Sequence, residues 1–227
     1  QCPARVYAAC AKYVFGALFS SSRMLLGIAL VYGAVGTLYF EDIAASLVGT
    51  PLLYVGLVLF LAGIGFKISI VPFHLWTADV YQGAPTSITA YLSVISKGAA
   101  AFALMVVLFK VFSSVAAGWQ PVLWGLIVIT ITIGNLFAVR QKNLKRFMAF
   151  SSISQAGHIL LGVIAGPAVG MTSLIYSVLV FVFPNLAVFV VLSVIETATG
   201  MLDLAACNGL VRLFPDVILP LIHLFFF

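Results

Sequence analysis

The stretch PLLYVGLVLFLAGIGFKISIVPFHLWTADVYQGAP, Pro51 to Pro85, decides the fold. From Pro51, a favourable first-turn residue, to Phe66 it carries no charge, and then Lys67, Pro72, His74 and Asp79 follow in quick succession. A straight helix from Pro51 to Tyr81 would run about 45 Å at 1.5 Å per residue, against a hydrocarbon core of roughly 30 Å. A break is therefore expected. Pro72 has no N–H to donate and biases Val71 away from helix, which places the break between Phe66 and Phe73 and gives Pro72 the task of setting it. Gln82, Gly83, Ala84 and Pro85 then make a turn, and Thr86 or Ser87 can cap the next helix.

The rest of the chain is of the same kind. Of 227 residues, 63% are apolar and 7% charged, where a soluble domain carries about 45–50% and about 25%. This is the composition of an integral membrane protein. The runs are too long and too continuously apolar for barrel strands, and at about 20 residues per crossing the length holds roughly six or seven helical spans. The spans are expected at Tyr13 to Tyr39, Pro51 to Tyr81 with its break, Thr86 to Phe112, Pro121 to Val139, Phe147 to Ala165, and Val169 to Ile195 interrupted by Pro184. Val217 to Phe227 is too short to cross alone and reads as a truncated seventh span. The expected fold is an all-α polytopic transmembrane bundle with one discontinuous helix, in one domain over residues 1–227. The start at Gln1 is consistent with a processed or partial chain.

Each crossing flips the side of the next loop, so the charges test the span assignment. Arg5, Lys12, the Gln82 to Pro85 turn, the Arg140 to Arg146 loop and Arg212 fall on one side, while the other holds Glu41, Asp42 and Lys110. By the positive-inside rule the first side is the cytoplasm or the mitochondrial matrix. The net charge of +5 thus reads as topology rather than as a nucleic-acid surface. Cys2, Cys10 and Cys207 form no CxxC or metal spacing, and an odd count argues against a disulfide framework.

A charge at bilayer depth costs about 2.5–3.5 kcal/mol or more, so it marks a pairing or a path. Lys97 lies eleven residues after Thr86, about 16 Å into its helix and near the midplane. Lys67 lies at similar depth beside the expected break, where free backbone groups can hold water and ions. Both are too deep to snorkel easily, and a lysine in low dielectric can exchange its proton, because its charged form is disfavoured. Lys110, near a helix end, reads as a snorkelling residue. Arg23 cannot relay a proton itself. His74, seven residues after Lys67, titrates near neutrality and is equally a relay or a hydrogen-bond brace. His158 follows Ser151, Ser152, Ser154 and Gln155, a polar stripe able to hold water. No dinucleotide fingerprint, haem-ligand histidine pair or cluster-binding cysteine set is present, so redox chemistry and a bound metal are not expected of this chain.

The run Phe66-Lys67-Ile68-Ser69-Ile70-Val71-Pro72-Phe73-His74-Leu75-Trp76-Thr77-Ala78-Asp79-Val80-Tyr81-Gln82-Gly83-Ala84-Pro85 resembles the signature of the antiporter-like subunits of respiratory complex I. Its Val-Tyr-Gln-Gly-Ala-Pro ending is most similar to the subunit-2, NuoN-type branch. Arg140-Gln141-Lys142-Asn143-Leu144-Lys145-Arg146 with Ser151 to Gly157 resembles that branch's next signature, and Lys12-Tyr13 and Leu25 to Gly36 also fit its pattern.

The resemblance implies an antiporter-like fold, here partial, whose discontinuous helix is the second segment. It implies a membrane-arm role in NADH:ubiquinone oxidoreductase, with Lys67 and Lys97 on the proton path, His74 between them, and Lys12, His158 and Lys145 as auxiliary groups. No cofactor is implied for this chain; the whole complex would use FMN, iron–sulfur clusters and ubiquinone. Implied partners are the lipid bilayer and other membrane subunits, including chains that supply helices before Gln1 and after Phe227, with no nucleic acid. The mitochondrial inner membrane is expected ahead of a bacterial plasma membrane. An Mrp-type cation/proton antiporter subunit shares the lysine-bearing helices and is the alternative, with a membrane scaffold that has lost transport as a third reading.

Overall fold

The computed structural model describes residues 3–200 together with 202 and 203, and these form nine α-helices with no strand among them. They are α1 (Pro3–Val35), α2 (Phe40–Ser46), α3 (Pro51–Ile68), α4 (Thr77–Gly83), α5 (Thr86–Ser93), α6 (Ile95–Lys110), α7 (Ala116–Val139), α8 (Leu144–Ile164) and α9 (Pro167–Thr199). Among the described residues, six stretches are long and apolar enough to cross a membrane: Val6–Val35, Pro51–Ile68, Thr86–Lys110, Ser113–Val139, Leu144–Ile164 and Val169–Thr197. The protein is an all-α integral membrane bundle. Val217 to Phe227 and Arg212 lie outside the described residues.

The broken helix has several locks. α3 opens at Pro51, where the Thr50 side chain accepts from the Leu53 N–H at 3.3 Å. It ends because Ser69 turns left-handed, at φ 67°. The Ser69 N–H then donates to the Phe66 carbonyl at 3.2 Å and the Ile70 N–H to that of Gly65 at 2.9 Å. The Trp76 indole N–H also donates to the Phe66 carbonyl, at 3.1 Å, and the Val71 N–H donates to Thr130 Oγ1 on α7 at 3.1 Å. Helix resumes at Thr77. The break therefore covers Ser69 to Trp76, beginning before Pro72 and reaching three residues beyond Phe73.

Other boundaries shift for identifiable reasons. α1 begins ten residues before Tyr13 and stops at Val35, because Gly36 takes a positive φ of 83° and closes the last turn onto the Tyr32 carbonyl. A 3-10 turn at Ser113–Val115 leads into α7, which takes Pro121 into its N-terminal part. α8 starts at Leu144 rather than Phe147, since the Asn143 side chain accepts from the N–H groups of Lys145 and Arg146 at 3.1 and 3.3 Å. Lys145 and Arg146 are therefore helical, not loop. The expected interruption at Pro184 is absent, and α9 runs continuously from Pro167 to Thr199. Beside it the Asn185 amide donates to the Phe181 carbonyl at 2.8 Å, the kind of local compensation that lets membrane helices carry proline. Conversely, the single third span is interrupted at Val94 (φ −104°, ψ −66°), with no proline there.

In lipid, helices associate by close packing rather than by escaping water, so small residues set the approach. α1 and α3 meet at Gly27 and Gly56, where a Cβ on Gly27 would fall 2.6 Å from the Gly56 carbonyl oxygen. Large apolar side chains such as Phe15 and Phe19 on α1, Leu136 on α7 and Phe183 on α9 point outward.

Candidate functional site

Lys97 lies in the first turn of α6, directly after the interruption at Val94, and only 1% of it is exposed. Its ammonium donates to the Ser152 carbonyl at 3.1 Å and to Ser152 Oγ at 2.8 Å, both on α8. Ser152 Oγ lies 3.4 Å from the Tyr81 hydroxyl, and the Lys97 nitrogen sits 5.8 Å from the centre of the Tyr81 ring. No carboxylate pairs with it among the described residues. A buried amine held only by neutral oxygens has no fixed counter-charge to lock its proton in place.

Lys67, in the last turn of α3, is half-buried and donates to the Tyr13 hydroxyl on α1 at 3.4 Å. It too has no carboxylate among the described residues. Between the two lysines the contacts run through aromatic rings. Tyr13 meets Trp76 at 5.2 Å and Trp76 meets Tyr81 at 6.5 Å, centre to centre, with Phe66 stacked on Trp76 at 5.0 Å. His74 makes no hydrogen bond to either lysine, and its Nδ1 is buried without a protein partner. Arg23 reaches the same region, its guanidinium 5.4 Å from the Phe73 ring and 4.5 Å from that of Phe19.

The auxiliary candidates fall in three places. Lys12 pairs with Asp79, which also accepts from Arg146 at 2.7 Å, so α1, α4 and α8 share one polar end. Lys145 is 1% exposed and pairs with Glu196 of α9 at 3.0 Å, while also donating to the Ala84 carbonyl at 3.2 Å. Thr86 donates to the other oxygen of Glu196. His158 lies in a different setting. With Ser151 and Gln155 it lines a crevice of about 450 Å³ between α8 and α9, opposite Tyr176, Ser177 and Asn185. The serine-rich stripe thus divides: Ser151, Gln155 and His158 face this crevice, and Ser152 turns to Lys97. Among the described residues no group of three His, Cys, Asp or Glu side chains is placed to hold a metal ion.

Sequence reasoning missed Glu196, although a signal existed: it is the one acidic residue between Asp79 and Asp203. It also missed Tyr81, which reads as part of a motif until the fold sets its hydroxyl against Ser152.

Residues 3–227 match the family profile described as NADH:quinone oxidoreductase/Mrp antiporter, transmembrane. The chain is 59% identical over 208 residues to NADH-quinone oxidoreductase subunit N of Phocaeicola vulgatus, covering 91% of this chain and 44% of that protein. It is 39% identical over 209 residues to the same subunit of Moorella thermoacetica, again 91% of this chain and 44% of that protein. The chain therefore spans less than half the length of these relatives. Among solved structures it is similar to a chain of respiratory complex I from Thermus thermophilus with bound aureothin (TM-score 0.75, 33% identity, 92% of this chain and 45% of that one). It is similar also to a chain of the Mrp complex from Dietzia sp. (TM-score 0.79, 29% identity, 87% and 37%).

Proposed function

The chain belongs to the NADH:quinone oxidoreductase/Mrp antiporter transmembrane family, and from that premise we propose that it is the lysine-bearing part of a proton-translocating membrane-arm subunit. Lys97 carries the reading: a fully buried amine beside a helix interruption, bonded among the described residues to Ser152. Holding a charge at that depth costs about 2.5–3.5 kcal/mol or more, a cost that packing does not call for and that the task of gaining and losing a proton explains. Ser152 and Tyr81 position that amine, and the polar break beside Lys67 admits water to the other lysine. His74 joins such a path through water, since its Nδ1 has no hydrogen-bond partner among the described residues.

The redox chemistry, with FMN, iron–sulfur clusters and ubiquinone, would belong to other subunits, and the partners are further membrane subunits and lipid. The relatives named above are bacterial and lend no support to a mitochondrial inner membrane; a bacterial plasma membrane is the reading they favour. The test is protons pumped per electron in assembled complex carrying Lys97→Ala. The expected result is normal assembly and quinone reduction with fewer protons per electron, and wild-type stoichiometry would refute the reading.

An Mrp-type antiporter subunit is the second reading, favoured by the likeness to the Dietzia Mrp chain. Co-purification separates them. Redox subunits support the oxidoreductase, other antiporter subunits support Mrp, and the absence of both would point to a scaffold.

A further inference from the structure

Four buried polar side chains lie along one face of α5 and α6: Thr86, Thr89, Ser93 and Lys97. Thr86, Thr89 and Ser93 follow the helical repeat of α5 with spacings of three and four residues, and Lys97 comes four residues later, across the interruption at Val94. Each end has its own polar cluster. At the outer end Thr86 donates to one oxygen of Glu196 and Lys145 to the other, while at the inner end Lys97 meets Ser152 and, beyond it, Tyr81. Between the ends, Ser93 Oγ neighbours the Tyr81 hydroxyl but makes no hydrogen bond within 3.5 Å among the described residues, and neither does the buried Thr77 Oγ1 on α4. Buried hydroxyls are seldom left unbonded, and ordered water is the usual partner when protein supplies none.

Packing alone does not ask for this stripe. An apolar face would pack as well, and a buried ion pair is weak evidence for stability in itself. Glu196 is 23% exposed and Lys97 is 1% exposed. One group meets bulk water and the other does not.

We propose that Glu196 collects protons for Lys97 along this stripe, with Lys145 as the residue that positions it. A proton from the aqueous phase adds to the Glu196 carboxylate while Lys145 keeps its bond to the Ala84 carbonyl. The carboxylic O–H then passes its proton through the Thr86 hydroxyl and water beside Ser93 to the free amine of Lys97, which becomes an ammonium. Glu196 returns to a carboxylate and pairs again with Lys145. One proton enters, one arrives, and no electron moves. Among the described residues, the titratable or charged groups on the helices packed against α9 are Tyr91 on α5, Lys97 and Lys110 on α6, and Lys145, Arg146 and His158 on α8, and Lys145 makes an ion pair with Glu196. The proposal rests on the reading of Lys97 as a proton carrier.

The test uses assembled complex in sealed vesicles, with pumping and quinone reduction measured from about pH 6 to about pH 8 for wild type, Glu196→Gln and Lys97→Ala. Glutamine cannot hold the proton, so protons must reach the stripe directly from bulk water. Pumping by Glu196→Gln should then fall more steeply with rising pH than wild type, approaching about tenfold per pH unit when delivery is first order in protons, and Glu196→Asp should restore the wild-type shape. A loss equal at every pH, or no loss, overturns the proposal. Normal pumping by Lys97→Ala would instead overturn the underlying reading. If Glu196→Gln does not assemble, Thr86→Val keeps the ion pair and removes the relaying hydroxyl; several-fold slower pumping with intact quinone reduction supports the proposal, and unchanged pumping sinks it.

Discussion

Three lysines in this bundle carry the same charge in three settings, and those settings rank what their loss should do. Lys12 and Asp79 are 58% and 36% exposed, so their pair is screened and worth about 0–1 kcal/mol. Lys145 is buried and pairs with Glu196, and Lys145→Met would remove that charge-assisted hydrogen bond, at a cost of about 1–3 kcal/mol. Lys97 pairs with no carboxylate among the described residues, so Lys97→Met trades two hydrogen bonds for relief of a buried charge and should leave stability near wild type. Thermal unfolding in detergent should therefore rank Lys145→Met as clearly destabilised and Lys12→Ala and Lys97→Met as close to wild type. A Lys97→Met variant as unstable as Lys145→Met would show that Lys97 is a structural residue. Lys97 stood out in the sequence because no charge belongs at mid-span. Lys145 read as one of four basic loop residues, because the Asn143 cap that draws it into α8, and the distant Glu196 that neutralises it, are facts of the fold rather than of local spacing.

At the scale of elements, the break in the second span was legible from length and from Pro72, but what holds it was not. Ser69 in a left-handed turn, the Trp76 indole on the Phe66 carbonyl, and Thr130 on the Val71 N–H are bonds to residues that proline says nothing about. Pro72, whose side chain is exposed, follows the point where the helix has already ended. Pro72→Ala should therefore leave the break open and pumping near normal. Trp76→Phe should cost about 0.5–1.5 kcal/mol by removing one of the two hydrogen bonds to the Phe66 carbonyl, and it also loosens the aromatic contact between Tyr13 and Tyr81. Local structure and pumping, measured together in both variants, decide this. A straightened helix in Pro72→Ala would return the control of the break to the proline. The interruption at Val94 left no trace in the sequence, since neither glycine nor proline marks it, whereas Pro184 marked one that the helix absorbs.

Across the whole molecule, charge is sorted by end and by depth. Lys67, like Lys97, departs from that sorting. It sits half-buried with Tyr13 as its hydrogen-bond partner and no carboxylate among the described residues. A deep ammonium left with a phenol alone is costly, so a structure of the assembled complex should show a carboxylate from outside the described residues within about 4 Å of it. Lipid alone beside Lys67 would count against its place on a proton path.

The sorting by end supplies the last expectation. Lys12, Asp79, Gln82, Gln141 and Arg146 converge through ion pairs and hydrogen bonds, and Lys145 with Glu196 and Thr86 lies at the same end of α5, α8 and α9. Glu41 and Asp42 of α2 and Lys110 of α6 lie at the opposite end. Counted along the six candidate spans, the cation-rich end should face the cytoplasm, because lysine and arginine in short loops resist translocation. In a cysteine-free background, a membrane-impermeant maleimide applied to intact cells should label Asp42→Cys and spare Gln141→Cys, and in inverted vesicles the pattern should reverse. The mirrored pattern would invert the topology and would put Glu196 on the far side, where it could collect protons only for the opposite direction of transport. Labelling of both sites from one side would break the span count itself, and with it the depth argument for Lys97.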